Sequence, residues 1–472
     1  MGAILGLLDS EQLKGQWSNN VRRRVFYQYP NGAAPLMGLL SLVDDDEDGE
    51  TDKPEFGWRE DRNEKFEYFT AMANAAGPFT DTSGASGAVG VNLTTGGWTK
   101  AAAQKIRIKL DRVDTVQERD VLEIQKVPTA GGKTASFQGV VTAVYTSPKT
   151  IDLELIEAVG ATDNLLNTTA ANSLDVVMVG SATAEADRSR KGFWTLPIDV
   201  LNYTQIFRHG FSFTRNALKE GLKFDSSGAY KTKAKKNSLK HFQSMEYAAM
   251  FSNRSVQLVT TDDGETTQRR TLGGILWFLK QWELGKAANG GAFEYRPNGA
   301  NLLGQDWDYD DDKRILDFKG ASITKDEFEG IIENAFRYTN DSSFEKLVLC
   351  GGGLLKAFNK FVDREGMRTM QLNPKEDTYG MNVTSWETPW GILHFKVHPL
   401  LNQTKVYRKS GFILDLGEIK YVPFQDTDTN LLKNRQPNDY DGRKDEWLTE
   451  FGLEIRFPEN HMFLDNLGGI TS

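Results

Sequence analysis

The residues Asp44-x-Asp46-x-Asp48-Gly49-x5-Glu55 match the pattern of a calcium loop: hard carboxylate oxygens at alternate positions, a glycine for the tight turn, and a distant two-oxygen glutamate. The flanks argue the other way. Ser41-Leu-Val43 and Phe56-Gly-Trp58 do not read as two amphipathic helices, Thr51 stands where an apolar residue is usual, and Pro54 crowds the exit. An acidic, solvated turn is the simpler reading of the same residues.

Other candidate chemistry is thinner. Leu347-Val-Leu-Cys-Gly-Gly-Gly-Leu-Leu355 reads as a strand entering a helix through glycines, a geometry able to cradle phosphate on helix N-terminal amides. It lacks the Lys-Ser/Thr of a P-loop and the spacing of a dinucleotide fingerprint, so a tight turn packed against a neighbour is expected. Cys350 has no motif-linked base, and the histidines (His209, His241, His394, His398 and His461) are scattered. His394 and His398 fall on one face of an alternating run and would need a third ligand to hold a metal. Asp308 to Asp312 reads as an exposed acidic loop. No carboxylate pair has a defined partner, so a hydrolase is the weakest reading, and no cofactor motif is present.

The elements that would position these groups fall in a definite order. Residues 1–60 read as an N-terminal arm carrying a basic and aromatic patch (Arg22, Arg23, Arg24, Phe26, Tyr27, Tyr29), a Pro/Gly break and the acidic run Asp44 to Glu50. With few apolar residues for its length, such an arm is ordered by lying on something else. Residues 61–103 begin an extended loop region, with small residues dominating from Ala73 to Gly97. Between 104 and 186 the period becomes two, in five short runs around Ile106, Val121, Phe137, Ile151 and Val176, which predicts an inserted β module of barrel or sandwich type. Strands are expected at 193–198 and 205–213.

The longest helical pattern is at 228–252, within a region spanning 187–320; Leu239, Phe242, Met245 and Ala249 recur at helical spacing over a length of roughly 35 Å. Its first half carries Lys231, Lys233, Lys235, Lys236 and Lys240 with no acid before Glu246, which opposes the helix dipole. A solvated face and a contact with nucleic acid or an acidic neighbour both account for it. An α/β layer follows over 321–425, with a helix at 325–337 capped by Thr324, and 426–472 is expected to return to the peripheral region 187–320 that holds the long helix.

Composition limits the function classes. The 472 residues suffice for two to four domains, and the net charge of −9 disfavours a protein whose main task is coating duplex phosphate. The single cysteine excludes an intramolecular disulfide and a multi-thiolate zinc site. No apolar run approaches the roughly 18 residues of a membrane span. Met1 to Leu8 is short and lacks a basic lead-in, so it makes a poor signal peptide, and Gly6 spoils a myristoylation site.

The order of parts, with Pro54-Glu-Phe-Gly-Trp-Arg-Glu-Asp-Arg62 and Thr271-Leu-Gly-Gly-Ile-Leu-Trp277 within it, resembles the major capsid proteins of tailed bacteriophages with the Hong Kong 97-type fold. Pro54, Phe56, Trp58, Glu60 and Asp61 occupy a string that in many such proteins marks where the arm gives way to the extended loop. The lysine-rich helix, with His241, Glu246 and Phe251, resembles their spine helix, and Gly273-Gly274-Ile275 the turn after it.

The resemblance implies an α+β Hong Kong 97-like capsid fold with an N-terminal arm, extended loop, long spine helix, α/β axial domain and inserted β-barrel-like module. It also implies a non-enzymatic structural protein that self-assembles into pentamers and hexamers of an icosahedral head around double-stranded DNA. Scaffolding, portal and decoration proteins are the implied partners, without sequence-specific DNA binding and without a membrane. Assembly in the host bacterial cytoplasm and residence in the virion follow. Arg22, Arg23, Arg24, Pro54, Phe56, Trp58, Glu60 and Asp61 are the assembly candidates, and the lysine-rich helix an inner-face candidate. The alternative is a calcium-dependent extracellular or surface β-rich binding protein using Asp44, Asp46, Asp48 and Glu55.

Overall fold

The computed structural model describes residues 34–43, 49–61, 68–72, 79–88, 93, 100–110, 113, 115–129, 132–158, 173–183, 185, 192, 197–219, 229–260, 266–288, 313–339, 344–364, 374–378, 381–425 and 428–470. Arg22, Arg23, Arg24, Asp44, Asp46, Asp48 and the cluster Asp308 to Asp312 lie outside them, as do residues 193–196 of one expected strand. Two compact units emerge: residues 1–58, 199–284 and 295–472 form one, and residues 59–198 with 285–294 the other.

The first unit contains the long helix, Ala229–Phe251. It lies on an antiparallel sheet in which strand Gln205–Thr214 pairs along its whole length with Gly442–Ile455, whose other edge takes Ile419–Pro423 and Asn430–Leu432. Strand alternation decides the packing: Phe207 and Phe211 are buried, whereas Ile206, Arg208, Gly210 and Ser212 are exposed. Phe207 stacks on Phe451 with ring centroids 5.2 Å apart. The helix is two-natured along its axis. Its first half exposes all five lysines, while Met245, Ala249 and Met250 in the second half enter the core.

The α/β layer is a seven-stranded sheet in the order Ile315–Asp317, Met462–Asp465, Gly411–Leu414, Glu345–Cys350, Ile392–Val397, Met381–Glu387, Pro374–Thr378. Glu345–Cys350 pairs in parallel with Ile392–Val397 and antiparallel with Gly411–Leu414. Being central, it is apolar on both faces: Val348 and Cys350 meet Phe328, Leu354 and Phe358, and Leu347 and Leu349 join the core that holds Met245 and Phe278. The helix Lys325–Phe336 begins in a reciprocal capping box, with Thr324 Oγ1 accepting from Glu327 N at 3.3 Å and Glu327 Oε2 accepting from Thr324 N at 2.7 Å.

The second unit is an antiparallel sheet of seven strands in the order Tyr68–Met72, Ser173–Ser181, Asp120–Pro128, Thr134–Tyr145, Thr150–Leu155, Lys105–Lys109, Phe79–Thr80. Its core is Phe79, Ile106, Ile108, Leu122, Ile124, Phe137, Val141, Ile151, Leu153 and Val176, as the period-two runs require. The boundaries differ from the 104–186 expectation, because both outer strands of the sheet come from 61–103. Phe79 is fully buried in a stretch that composition reads as loop. Phe79 pairs with Ile108 and packs on Phe137 with ring centroids 5.8 Å apart, and the turn that follows is held by Arg107: its Nε and Nη2 pair with Asp152 at 2.5 and 2.8 Å, and its Nη1 donates to Gly84 O and Ala88 O at 2.6 and 2.7 Å. A buried arginine fork thus holds a glycine-rich turn that has no apolar periodicity of its own.

Candidate functional site

The long helix is the feature around which the first unit is organised, and its one buried acid is the anchor. Glu246 accepts from Leu36 N and Met37 N at 2.8 Å each, capping the short helix Pro35–Val43, whose Leu36, Leu39 and Leu40 are buried in the core. A carboxylate on helix N-terminal amides is favoured by both the hydrogen bonds and the dipole. Glu246 Oε1 also lies 2.7 Å from His398 Nε2, at the edge of the α/β layer. Three separated stretches of chain therefore converge on one side chain.

Just beyond Glu246, at the C-terminal end of the same helix, the chain returns through Gly273 and Gly274. A Cβ on Gly274 would stand 2.7 Å from Ala248 O and 2.9 Å from Ala249 O, so only glycine allows the next helix, Ile275–Ala288, to begin there. Asn202 locks the turn: its Oδ1 accepts from Gly273 N at 2.7 Å, and its Nδ2 donates to Gly273 O and Leu453 O at 3.1 and 2.7 Å. Nothing in the sequence marked Asn202; its spacing to Gly273 is long-range and belongs to no motif.

The Pro54 to Asp61 string is strand Glu55–Glu60, paired with Ile198–Tyr203. Pro54 O accepts from Thr204 N at 2.8 Å. Phe56 fills the space over Gly452, and Trp58 packs against Phe278 with ring centroids 5.7 Å apart. These two half-buried aromatics thus make contacts within their own chain; Glu60 is buried and Asp61 exposed.

Of the carboxylates in the calcium pattern only Glu55 lies within the described residues, and it is engaged in its own chain. Its carboxylate is taken by Arg254 at 3.0 Å, and that guanidinium lies over the Tyr203 ring at 4.3 Å. Glu55 is thus a strand residue held in an ion pair, and among the described residues no three His, Cys, Asp or Glu side chains converge as metal ligands would. His394 and His398 also part company. His394 contacts Ser385 Oγ at 2.9 Å and Glu345 at 3.3 Å, whereas His398 faces Glu246 and caps Leu400 N at 3.2 Å.

The triple-glycine turn is a packing device. A Cβ on Gly351 would lie 2.3 Å from Arg408 O, and the helix Gly352–Arg364 starts directly after it. Burial pushes the Cys350 thiol up to about 12, so the nucleophilic thiolate is suppressed at neutral pH. Below this sheet Lys346 is almost fully buried, with Nζ donating to Asn460 O at 2.6 Å. Burial pulls its pKa down to about 7, against the opposing pull of Asp415, and burial with the Lys346 charge holds His461 down to about 3.

A long helix laid on an antiparallel sheet is joined through one buried carboxylate to an anchored N-terminal helix and a mixed α/β layer, and the family comparison gives the class, a capsid-forming subunit with a Hong Kong 97-like fold. The SU10 major capsid protein family matches residues 15–468, and the chain belongs to that family. No curated protein matches the sequence. Among solved structures it is similar to the cyanophage A-1(L) capsid asymmetric unit, at 8% identity over 61% of this chain and 85% of that chain, with a TM-score of 0.37. The holo-SrpI encapsulin complex from Synechococcus elongatus PCC 7942 is similar at 10% identity over 58% and 76% of the two chains, with a TM-score of 0.35. The satellite phage P4 procapsid that includes the size determination protein follows at 10% identity, 62% and 80% coverage and a TM-score of 0.33. The protein is thus a capsid-forming structural protein of the virion, and the calcium-dependent binding alternative finds no support.

Proposed function

We propose that this chain builds the pentamers and hexamers of an icosahedral head around double-stranded DNA. The observation that carries this is the family match over residues 15–468, nearly the whole chain. Closed shells follow when one surface repeats around cyclic axes, and an arm of few apolar residues gains order by crossing a neighbour. In this reading Arg22, Arg23 and Arg24 act on that arm. Pro54, Phe56, Trp58, Glu60 and Asp61 set the exit direction of the strand that leads from it, and scaffolding, portal and decoration proteins are the outside partners. Subunits assemble in the host bacterial cytoplasm.

The exposed lysines Lys231, Lys233, Lys235, Lys236 and Lys240 face the interior and meet phosphate as a diffuse, sequence-independent contact. The overall charge of −9 keeps that contact weak, so packed DNA does not adhere to the wall. Nuclease treatment of particles isolated from an infected host tests both statements. Protected double-stranded DNA that dissociates from opened shells at physiological salt is expected. DNA that leaves opened shells only at high salt contradicts the weak-contact reading, and particles that never contain DNA contradict the packaging role.

A further inference from the structure

His241 on the long helix and His209 on strand Gln205–Thr214 meet nitrogen to nitrogen, with Nδ1 to Nδ1 at 2.9 Å and ring planes at 81°. The other nitrogen of His241 lies 2.7 Å from Thr449 Oγ1, and the Thr449 hydroxyl donates to Thr429 Oγ1 at 2.9 Å. These contacts fix the protons. Thr449 spends its own hydrogen on Thr429, so its oxygen accepts from His241 Nε2–H; His241 Nδ1 is then a bare lone pair, and the hydrogen between the rings belongs to His209. The hydrogen bonds run one way, from His209 through His241 and Thr449 to Thr429. They tie the helix to two strands and to the turn before Asn430–Leu432.

This chain of bonds accommodates one added proton and not two. His209 is half-buried and can take a proton on Nε2 while still donating from Nδ1. A second proton has only His241 Nδ1 to go to, where it replaces the accepting lone pair and sets two N–H groups and two like charges face to face inside a buried contact. The surrounding charges give no relief. Lys240 adds positive charge against His209. Asp445, on the same face of its strand, is engaged by Tyr230, Asn434 N and Arg443. Asp428 accepts from Tyr421 and Thr429 N, and Arg208, Glu446 and Glu450 alternate onto the opposite face of the sheet. Trp447 stands opposite His209 in the register and is uncharged.

We propose that the His209–His241 pair is an acid-labile clasp that fastens the spine helix to its sheet and opens when both rings carry a proton. Burial, reinforced by Lys240, lowers the His209 pKa, and burial together with the His209 charge lowers His241 from 6.5 to about 4, so opening takes up a proton between those two values.

Hydrogen–deuterium exchange of the full chain, expressed as protection over the intrinsic rate at each pH, reads the clasp directly. Amides of residues 237–245 and 205–211 are expected to lose protection in a step that runs from about pH 6.5, the ordinary histidine value, down to about 4, about tenfold per pH unit, and levels off below it. His241→Gln keeps a neutral donor toward Thr449 and an acceptor toward His209 yet takes no proton, so the step disappears. His209→Gln, at the less buried position, offers an amide oxygen to the proton on His241 and also abolishes it. A step at the same pH in either variant overturns the proposal, as does wild-type protection that persists unchanged to about pH 3.

Discussion

Glu246 and His398, 152 positions apart in sequence, meet at 2.7 Å with neither side chain exposed. The same carboxylate holds the first turn of the helix Pro35–Val43, so the N-terminal segment, the spine helix and the α/β layer share one electrostatic joint.

Replacing that carboxylate should therefore free the helix Pro35–Val43. Glu246→Ala leaves His398 and two helix amides without their acceptor, a loss of about 3–5 kcal/mol by analogy with broken buried pairs. Denaturant titration is expected to show this drop, with residues 35–43 gaining exchange before the rest of the unit. Unchanged protection of residues 35–43 would refute the joint.

Arg107→Ala tests the second unit in the same currency. The variant strands Asp152 in a buried site and releases the carbonyls of Gly84 and Ala88, so about 3–5 kcal/mol is lost within the β module. Calorimetry is expected to show one transition moving to lower temperature while that of the other unit, residues 199–284 and 295–472 with the N-terminal segment, stays in place. Equal movement of all transitions would show that the two units unfold together.

Lys346 gives a pH dependence with a definite sign. Its folded pKa is about 7 against an ordinary 10.5, so between those values the unfolded chain binds the proton that the folded chain has shed. Stability consequently rises with pH across that window. Glu283 works in a lower window: burial raises its carboxyl from 4.5 to about 7, so its contribution falls as pH rises through that range and is spent by neutrality. Unfolding midpoints measured from pH 7 upward are expected to climb in the wild type and stay flatter in Lys346→Met. Parallel curves would contradict the assignment.

The sequence was most readable where one period ran long. The spine helix, expected at 228–252, is found at 229–251, and the Thr324 cap and the glycine turn after Cys350 stand where local chemistry placed them. Legibility failed where a long-range polar contact did the positioning. Phe79–Thr80 is too short for any period, the turn after it is held by Arg107, and Asn202 reaches Gly273 across 71 residues. The spacing of the calcium pattern likewise gave no sign that Glu55 belongs to a strand and pairs with Arg254. His398 looked like half of a metal pair because alternation along a strand is visible in sequence, whereas the buried Glu246 facing it is not.

The central claim is that this chain closes into a shell by itself or with a scaffold. Light scattering with negative-stain imaging of the purified full chain, alone and coexpressed with the scaffolding protein of its own phage, tests it most directly. Rings of five or six copies, or closed shells, are the predicted outcome. A particle that remains a 52.9 kDa monomer under both conditions would contradict it.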